Sequence, residues 1–151
     1  MIDTILADIW KNVATEMVKG DITKQAFLIN RSKKELYDIP PALTHIPSTE
    51  YAVFLAMAVD QVAADMVVML LASWVTTYNP GVDDFIQPSL SPNRVEYIVM
   101  TYKTAEGTSG CHMAKINRTD GAASISEDVQ ILTQSFDRFL DGVFIKPHAS
   151  H

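Results

Sequence analysis

The stretch Asp65-Met-Val-Val-Met-Leu-Leu-Ala-Ser-Trp-Val-Thr-Thr-Tyr78 constrains the fold more than any other part of the chain. It is apolar on both alternating faces, a pattern that suits a strand covered on two sides. Val67, Val68, Val75, Thr76 and Thr77 are β-branched and Trp74 and Tyr78 aromatic, which favours extended structure. The pattern predicts a central strand over 66–78 that acts as the spine of the core. Its apolar run of about ten residues is too short for a bilayer crossing, which needs roughly 20. Asp60, Gln61 and Asp65 stop the run from extending backwards.

The elements around the spine follow from spacing and punctuation. Ile2, Ile5, Leu6, Ile9, Trp10, Val13 and Met17 recur every three or four residues, the mark of a helix with one apolar stripe, with Asp3 to cap it and Gly20 to end it. The segments 25–30 and 35–39 flank the polar Arg31-Ser-Lys-Lys34 and predict a hairpin stopped by Pro40-Pro41. Ser48 or Thr49 caps the next helix and Glu50 suits its dipole, while Val53, Phe54, Met57, Ala58 and Val62 make its stripe. An end near Ala63 or Ala64 is expected, but neither Gly nor Pro marks it, so a helix running on to about Ser73 is the competing reading. The segment 79–93 holds three prolines and no periodicity. A connection of about fifteen residues is uncommon in a compact domain and is the first place to look for function. A hairpin follows, with strands over 94–103 and 109–118 around the turn 104–107. Asp120-Gly121 then turns the chain into a short strand over 122–126. Val129, Leu132, Phe136, Phe139, Leu140 and Val143 fall on one helical side, so 126–143 is expected to be a helix that starts at Ser126. The tail 146–151 is expected to fray.

At 151 residues, 48% hydrophobic and 20% charged, the chain is long and apolar enough to fold as one domain without staples. Its formal net charge of -6 disfavours phosphate backbones and anionic membranes. The densest basic run, Arg31 to Lys34, reads as a solvated loop. A single cysteine, Cys111, rules out an intrachain disulfide and fits a reducing compartment. The first eight residues carry two acids and no basic region, unlike a signal peptide. A cytoplasmic location is the expectation.

At Ala72-Ser-Trp74, Pro88-Ser-Leu-Ser-Pro-Asn-Arg-Val-Glu96 and the strand after them, the chain resembles a loosely defined set of uncharacterised small bacterial and phage-associated proteins. In those an apolar strand ends in an acidic residue, Ala and Trp, and a Pro-Ser-x-x-Pro-x-Arg-x-Glu-like segment leads into a hairpin. Phe27-Leu-Ile and Ile39-Pro40 sit where such proteins have a short hairpin ending in Ile-Pro. Ala72 stands where the pattern has an acid, so any role of that carboxylate is missing here. The resemblance implies a fold layout and a phage or mobile-element setting. It implies no catalytic residue.

Side chains able to do chemistry do not converge. Cys111 and His112 are neighbours on a strand and point to opposite faces, so the imidazole is poorly placed to activate the thiol. A structural cysteine is the expectation. His45, His148 and His151 lack helical metal-ligand spacing, and Asp83-Asp84 lacks that of a calcium loop. No metal or cofactor is expected. No GxGxxG, GxxxxGK or GxSxG motif occurs, which withdraws sequence support from phosphate-cradling and serine-hydrolase chemistry.

Both faces of the second hairpin are apolar: Val95, Tyr97 and Val99 lie on one, and Ile98, Met100 and Tyr102 on the other. Cys111 and Met113 oppose Ala114 and Ile116 in the partner strand. Helices on both sides would explain this, and so would contact with another subunit.

The reading that results is a single α+β domain over 1–145, with a mainly antiparallel sheet of about five strands and two or three packed helices. The expected function is a non-enzymatic, self-associating interaction module, in the first instance a dimer, using Tyr97, Val99, Cys111 and Met113. The rival is a small-molecule-binding protein or unfamiliar enzyme with a pocket under the 79–93 loop. It would use Trp74, Tyr78, Tyr97 as a wall and Arg94 as an anion-binding group. The bland alternatives are a core position for Trp74 and a surface pair with Glu96 for Arg94.

Overall fold

The computed structural model describes residues 2–19, 25–39, 48–77, 79–119, 122–132, 140 and 142–144. In chain order they form helix α1 (Ile2–Lys19), strands β1 (Gln25–Asn30) and β2 (Glu35–Ile39), helix α2 (Ser48–Val62) and strand β3 (Met66–Val75). A single 3-10 turn (Pro88–Leu90) precedes β4 (Val95–Thr104), β5 (Ser109–Thr119), β6 (Ala122–Ile125) and β7 (Gln130–Leu132). The strand order is β2-β1-β3-β4-β5-β6, with β7 also on β5, and the β1–β2, β1–β3 and β5–β6 pairs are antiparallel. The class is α+β, with seven strands where about five were expected. By its internal contacts the chain divides into two compact units. One comprises Thr23–Leu70, Met100–His112 and Ile131–His151, the other Met1–Ile22, Leu71–Val99 and Met113–Gln130.

In the first unit, β1 lies between β2 and the start of β3, with Leu28 opposite Tyr37 on one side and Val67 on the other. Met66 to Leu70 are all buried, as two-sided cover requires. Val67 and Met69 join Tyr51, Leu55 and Val59 of α2 and Ala26 and Leu28 of β1 in one core cluster. A fully buried leucine such as Leu55 contributes about 2 kcal/mol from lost water contact alone.

The competing long helix is excluded, since α2 ends at Val62. Ala63 takes a left-handed conformation at φ 52°, and its amide donates to the Asp60 carbonyl at 3.3 Å. The Ala64 amide donates to the Val59 carbonyl at 3.0 Å. These two bonds are the Schellman closure usually made with glycine, and Val59 and Ala64 in the core supply its apolar contact.

The expected helix over 126–143 is corrected by β7. The Asp128 amide donates to Ser126 Oγ at 3.1 Å in a local turn, and residues 130–132 pair with β5. Gly110 of β5 admits this neighbour: a Cβ there would lie 2.9 Å from the Leu132 carbonyl oxygen and 2.8 Å from the Tyr102 ring. Residues 133–139, Tyr78 and the tail 146–151 lie outside the described residues.

In the second unit, Leu6, Ile9 and Val13 are buried along one stripe of α1, which packs on β6. Ile116 of β5 faces Ile125 of β6, and Thr119 faces Ala122 across the expected Asp120-Gly121 turn, which itself lies outside the described residues. From Leu71 onward β3 alternates between half-buried and exposed residues, and it stops at Val75. The spine is therefore covered on both faces only up to Leu70.

Candidate functional site

The connection after β3 has internal order that its proline content did not reveal. Asn79-Pro80-Gly81-Val82 forms a turn in which the Val82 amide donates to the Asn79 carbonyl at 3.1 Å. Gly81 takes φ +84°, as the third position of a type II turn demands after proline. The Asn79 amide in turn donates to Asp83 Oδ2 at 3.0 Å.

The far end of the loop is fixed by Ser91. Its hydroxyl is buried, lies 3.2 Å from Thr76 Oγ1 and accepts from the Asn93 amide at 3.2 Å. The Ser91 amide donates to the Pro88 carbonyl and the Arg94 amide to the Ser91 carbonyl. These bonds tie the loop end to the residue that follows β3.

Between these two fixed points Val82, Phe85, Ile86 and Leu90 are 76%, 70%, 46% and 70% exposed. Scattered exposed apolar residues are ordinary, but here four fall within nine positions of one ordered loop. A recess of about 390 Å3 opens on the same loop, lined by Thr76, Val82, Asp83, Asp84, Ile86 and Ser91 among others.

Of the expected pocket residues, Trp74 and Arg94 come together. The Arg94 guanidinium carbon lies 4.6 Å from the Trp74 ring centroid, and Nη1 donates to the Ser89 carbonyl at 3.3 Å. Trp74 is 41% exposed, which corrects its expected core position: β3 has lost cover on that face by this point. Glu96 pairs instead with Arg118, through Nε at 2.7 Å and Nη2 at 3.2 Å, which leaves Arg94 to the indole. Neither Trp74 nor Arg94 lines the recess, and Tyr97 is half-buried on β4.

Among the expected interface residues, Tyr97, Val99 and Met113 are half-buried. Cys111 is fully buried, which corrects its place on a contact surface. Burial pushes its thiol up to about 11, so it is protonated and a poor nucleophile near neutral pH. His112 packs against Tyr102, the rings meeting edge-on at 6.3 Å and 89°. Among the described residues no three His, Cys, Asp or Glu side chains gather as metal ligands. No helix of the described residues is long and apolar enough to cross a membrane.

A polar cluster that the sequence did not single out sits in the first unit. Asn30 is 5% exposed; its Nδ2 donates to the Ala63 carbonyl at 2.9 Å, and its Oδ1 accepts from Ser32 Oγ at 2.9 Å and the Lys33 amide at 3.0 Å. Arg31 is held beside it. Its amide donates to Asp65 Oδ1 at 3.1 Å, its Nε lies 3.2 Å from the same oxygen, and its Nη2 pairs with Glu106. Burial works against the Arg31 charge, but the bonds to Glu106 and Asp65 outweigh it and raise the pKa above its ordinary value. The available signal was a lone Asp at the mouth of an apolar run and an Asn at the end of a strand. Both are short-range hints of a long-range contact.

Comparison with protein-family models, curated proteins and solved structures found no match to this chain.

Proposed function

We propose that this protein is a non-enzymatic interaction module that self-associates, and that the 79–93 loop presents its contact surface. The observation that carries this reading is the exposure of Val82, Phe85, Ile86 and Leu90 on one hydrogen-bonded loop. Full burial of such a side chain contributes about 1.5 to 3 kcal/mol, enough from four of them to offset part of the entropy lost on association. The turn at Asn79 and the anchor at Ser91 reduce that loss, because the loop is already shaped before contact. Sedimentation equilibrium across a wide concentration range tests the reading. A mass rising from monomer towards dimer is expected, and a monomer at the highest concentration overturns it.

The recess beside Asp83 and Asp84 supports a second reading, a small-molecule site. A thermal-shift screen with metabolites and divalent ions separates the two, since a ligand selective for the folded state raises its stability.

A further inference from the structure

We infer that the end of α2 and the turn between β4 and β5 form a binding site for a small organic ammonium ion with an apolar body, and that Asp60 is its counter-ion. The site belongs wholly to the first unit and does not rest on the loop after β3. Ala56, Val59, Asp60 and Ala63 stand three and four residues apart, so they share one face of α2 and its closing turn. That face, with Ala105, Val143 and Phe144, lines a recess of about 410 Å3. Val59 and Val143 are buried members of the core, so packed apolar side chains back the recess. Alanine at 56, 63 and 105 leaves open the space that longer side chains would fill. The wall at Ala105 is held by main-chain bonds: its amide donates to the Asp65 carbonyl at 2.9 Å, and the Gly107 amide to the Thr104 carbonyl at 3.0 Å. A mostly apolar lining with one placed polar group is the usual make-up of a small-molecule site.

The charge at this recess has one sign. Asp60 is exposed, and its carboxylate has no hydrogen-bond or ion-pair partner among the described residues. Asp65 and Glu106, which flank Ala64 and Ala105 in sequence, are both taken by Arg31. The last turn of α2 carries no basic residue, so no side chain of the helix offsets the partial negative charge of its C-terminal carbonyls. A protonated amine answers the carboxylate and the helix end together, while its apolar body fills the alanine-lined space. A carboxylate or phosphate ligand would meet the same charges with the wrong sign. A bare divalent cation would find a single carboxylate, since no three His, Cys, Asp or Glu side chains gather among the described residues.

The test is a methyl NMR titration of the full chain with benzylammonium, uncharged benzyl alcohol and the anion benzoate as probes. Benzylammonium should shift the Ala56, Ala63 and Ala105 methyl signals saturably and bind roughly tenfold or more tightly than benzyl alcohol, because a charge-assisted bond is added to the same apolar contact. Benzoate should not bind. Asp60→Asn should lower the benzylammonium affinity to that of the alcohol and leave the alcohol unchanged, a split that a misfolded variant would not give. Ala105→Leu should fill the recess and weaken both probes. Equal affinity for amine and alcohol, or an amine affinity that ignores Asp60→Asn, overturns the assignment. Shifts confined to other residues, or no saturation by any probe at millimolar concentration, overturn it as well. None of these outcomes bears on self-association through the loop.

Discussion

The turn after β1 and the loop after β3 both carry charges and both connect strands, yet they use them in opposite ways. At the first, Asn30, Arg31, Asp65 and Glu106 are drawn into one network that closes the end of α2 and the start of β3. At the second, backbone bonds and the side chains of Asp83 and Ser91 hold the chain, while several apolar side chains and Asp84 are exposed. Polar groups satisfied by the protein itself stabilise the fold. Apolar groups left exposed on an ordered surface add little to the fold. The difference predicts that substitutions at the turn change folding, and that substitutions at the loop change association.

The largest effect is expected at Asn30. Asn30→Ala removes three part-buried hydrogen bonds, to the Ala63 carbonyl, the Lys33 amide and the Ser32 hydroxyl, and at about 1 kcal/mol each should cost about 2 to 3 kcal/mol in chemical denaturation. Asn30→Asp keeps the acceptor for Lys33 but loses the donor to Ala63, so it isolates the bond that seals α2. A loss below about 0.5 kcal/mol for Asn30→Ala would reduce the turn to an ordinary solvated loop.

Cysteine chemistry offers the next contrast. Cys111 should react with a thiol reagent at pH 8 only when the chain unfolds, whereas Val82→Cys should react at once, and more slowly as protein concentration rises if the loop associates. The buried thiol also has a pH signature. Its folded value is raised from 9.0 to about 11, so below pH 9 it is protonated in both states. Between 9 and 11 the unfolded chain releases the proton while the folded chain keeps it, and stability falls as pH rises. The fall relative to Cys111→Ala should be on the order of 2 kcal/mol by pH 11. Equal slopes for the two proteins would mean that the thiol is not shielded.

How much of this was legible depends on how far apart the causes lie in sequence. The stripe of α1, the hairpin around Arg31 to Lys34, the buried half of β3 and the later hairpin follow from local period and punctuation. The end of α2 was not marked, because Ala63 occupies a position that usually needs glycine, and part of its support comes from Asn30, 33 residues away. Three residues of β7 are too few to show a period of two, so its apolar residues passed for one side of a helix. For Arg31 the charge pattern indicated a solvated run, and only the return of Asp65 and Glu106 turns it into a fixed group. At the candidate site the loop was identifiable from its length and prolines. The exposure of Trp74 was not, since nothing in Leu71-Ala-Ser-Trp74 says where cover on β3 ends.

A smaller effect is expected where the turn side of the comparison can be improved. Ala63→Gly relieves the left-handed conformation at φ 52° and keeps the main-chain carbonyl that Asn30 holds. A gain of about 0.5 to 1 kcal/mol should appear in thermal or chemical denaturation, net of the added freedom of the unfolded chain. A loss would mean that the Ala63 methyl contributes more to the neighbouring recess, lined by Val59, Ala64, Ala105 and Phe144, than its backbone conformation costs.

The smallest effect on folding should come from the loop, and its smallness is what makes it informative. Val82→Ser and Leu90→Ser each remove a largely exposed apolar side chain, 76% and 70% exposed, so little burial is lost and stability should stay within about 0.5 kcal/mol of wild type. The backbone bonds at Asn79 and Ser91 do not involve either side chain, and the loop should keep its shape. Self-association should nonetheless weaken by roughly tenfold for each, because the same side chain that is worth little in the isolated chain becomes buried in the pair. A variant that destabilises the monomer by about 2 kcal/mol would place Val82 or Leu90 in the packing of its own chain. A variant that leaves both stability and association untouched would move the contact surface elsewhere, and the distinction between the two connections would then lie in their hydrogen bonding alone.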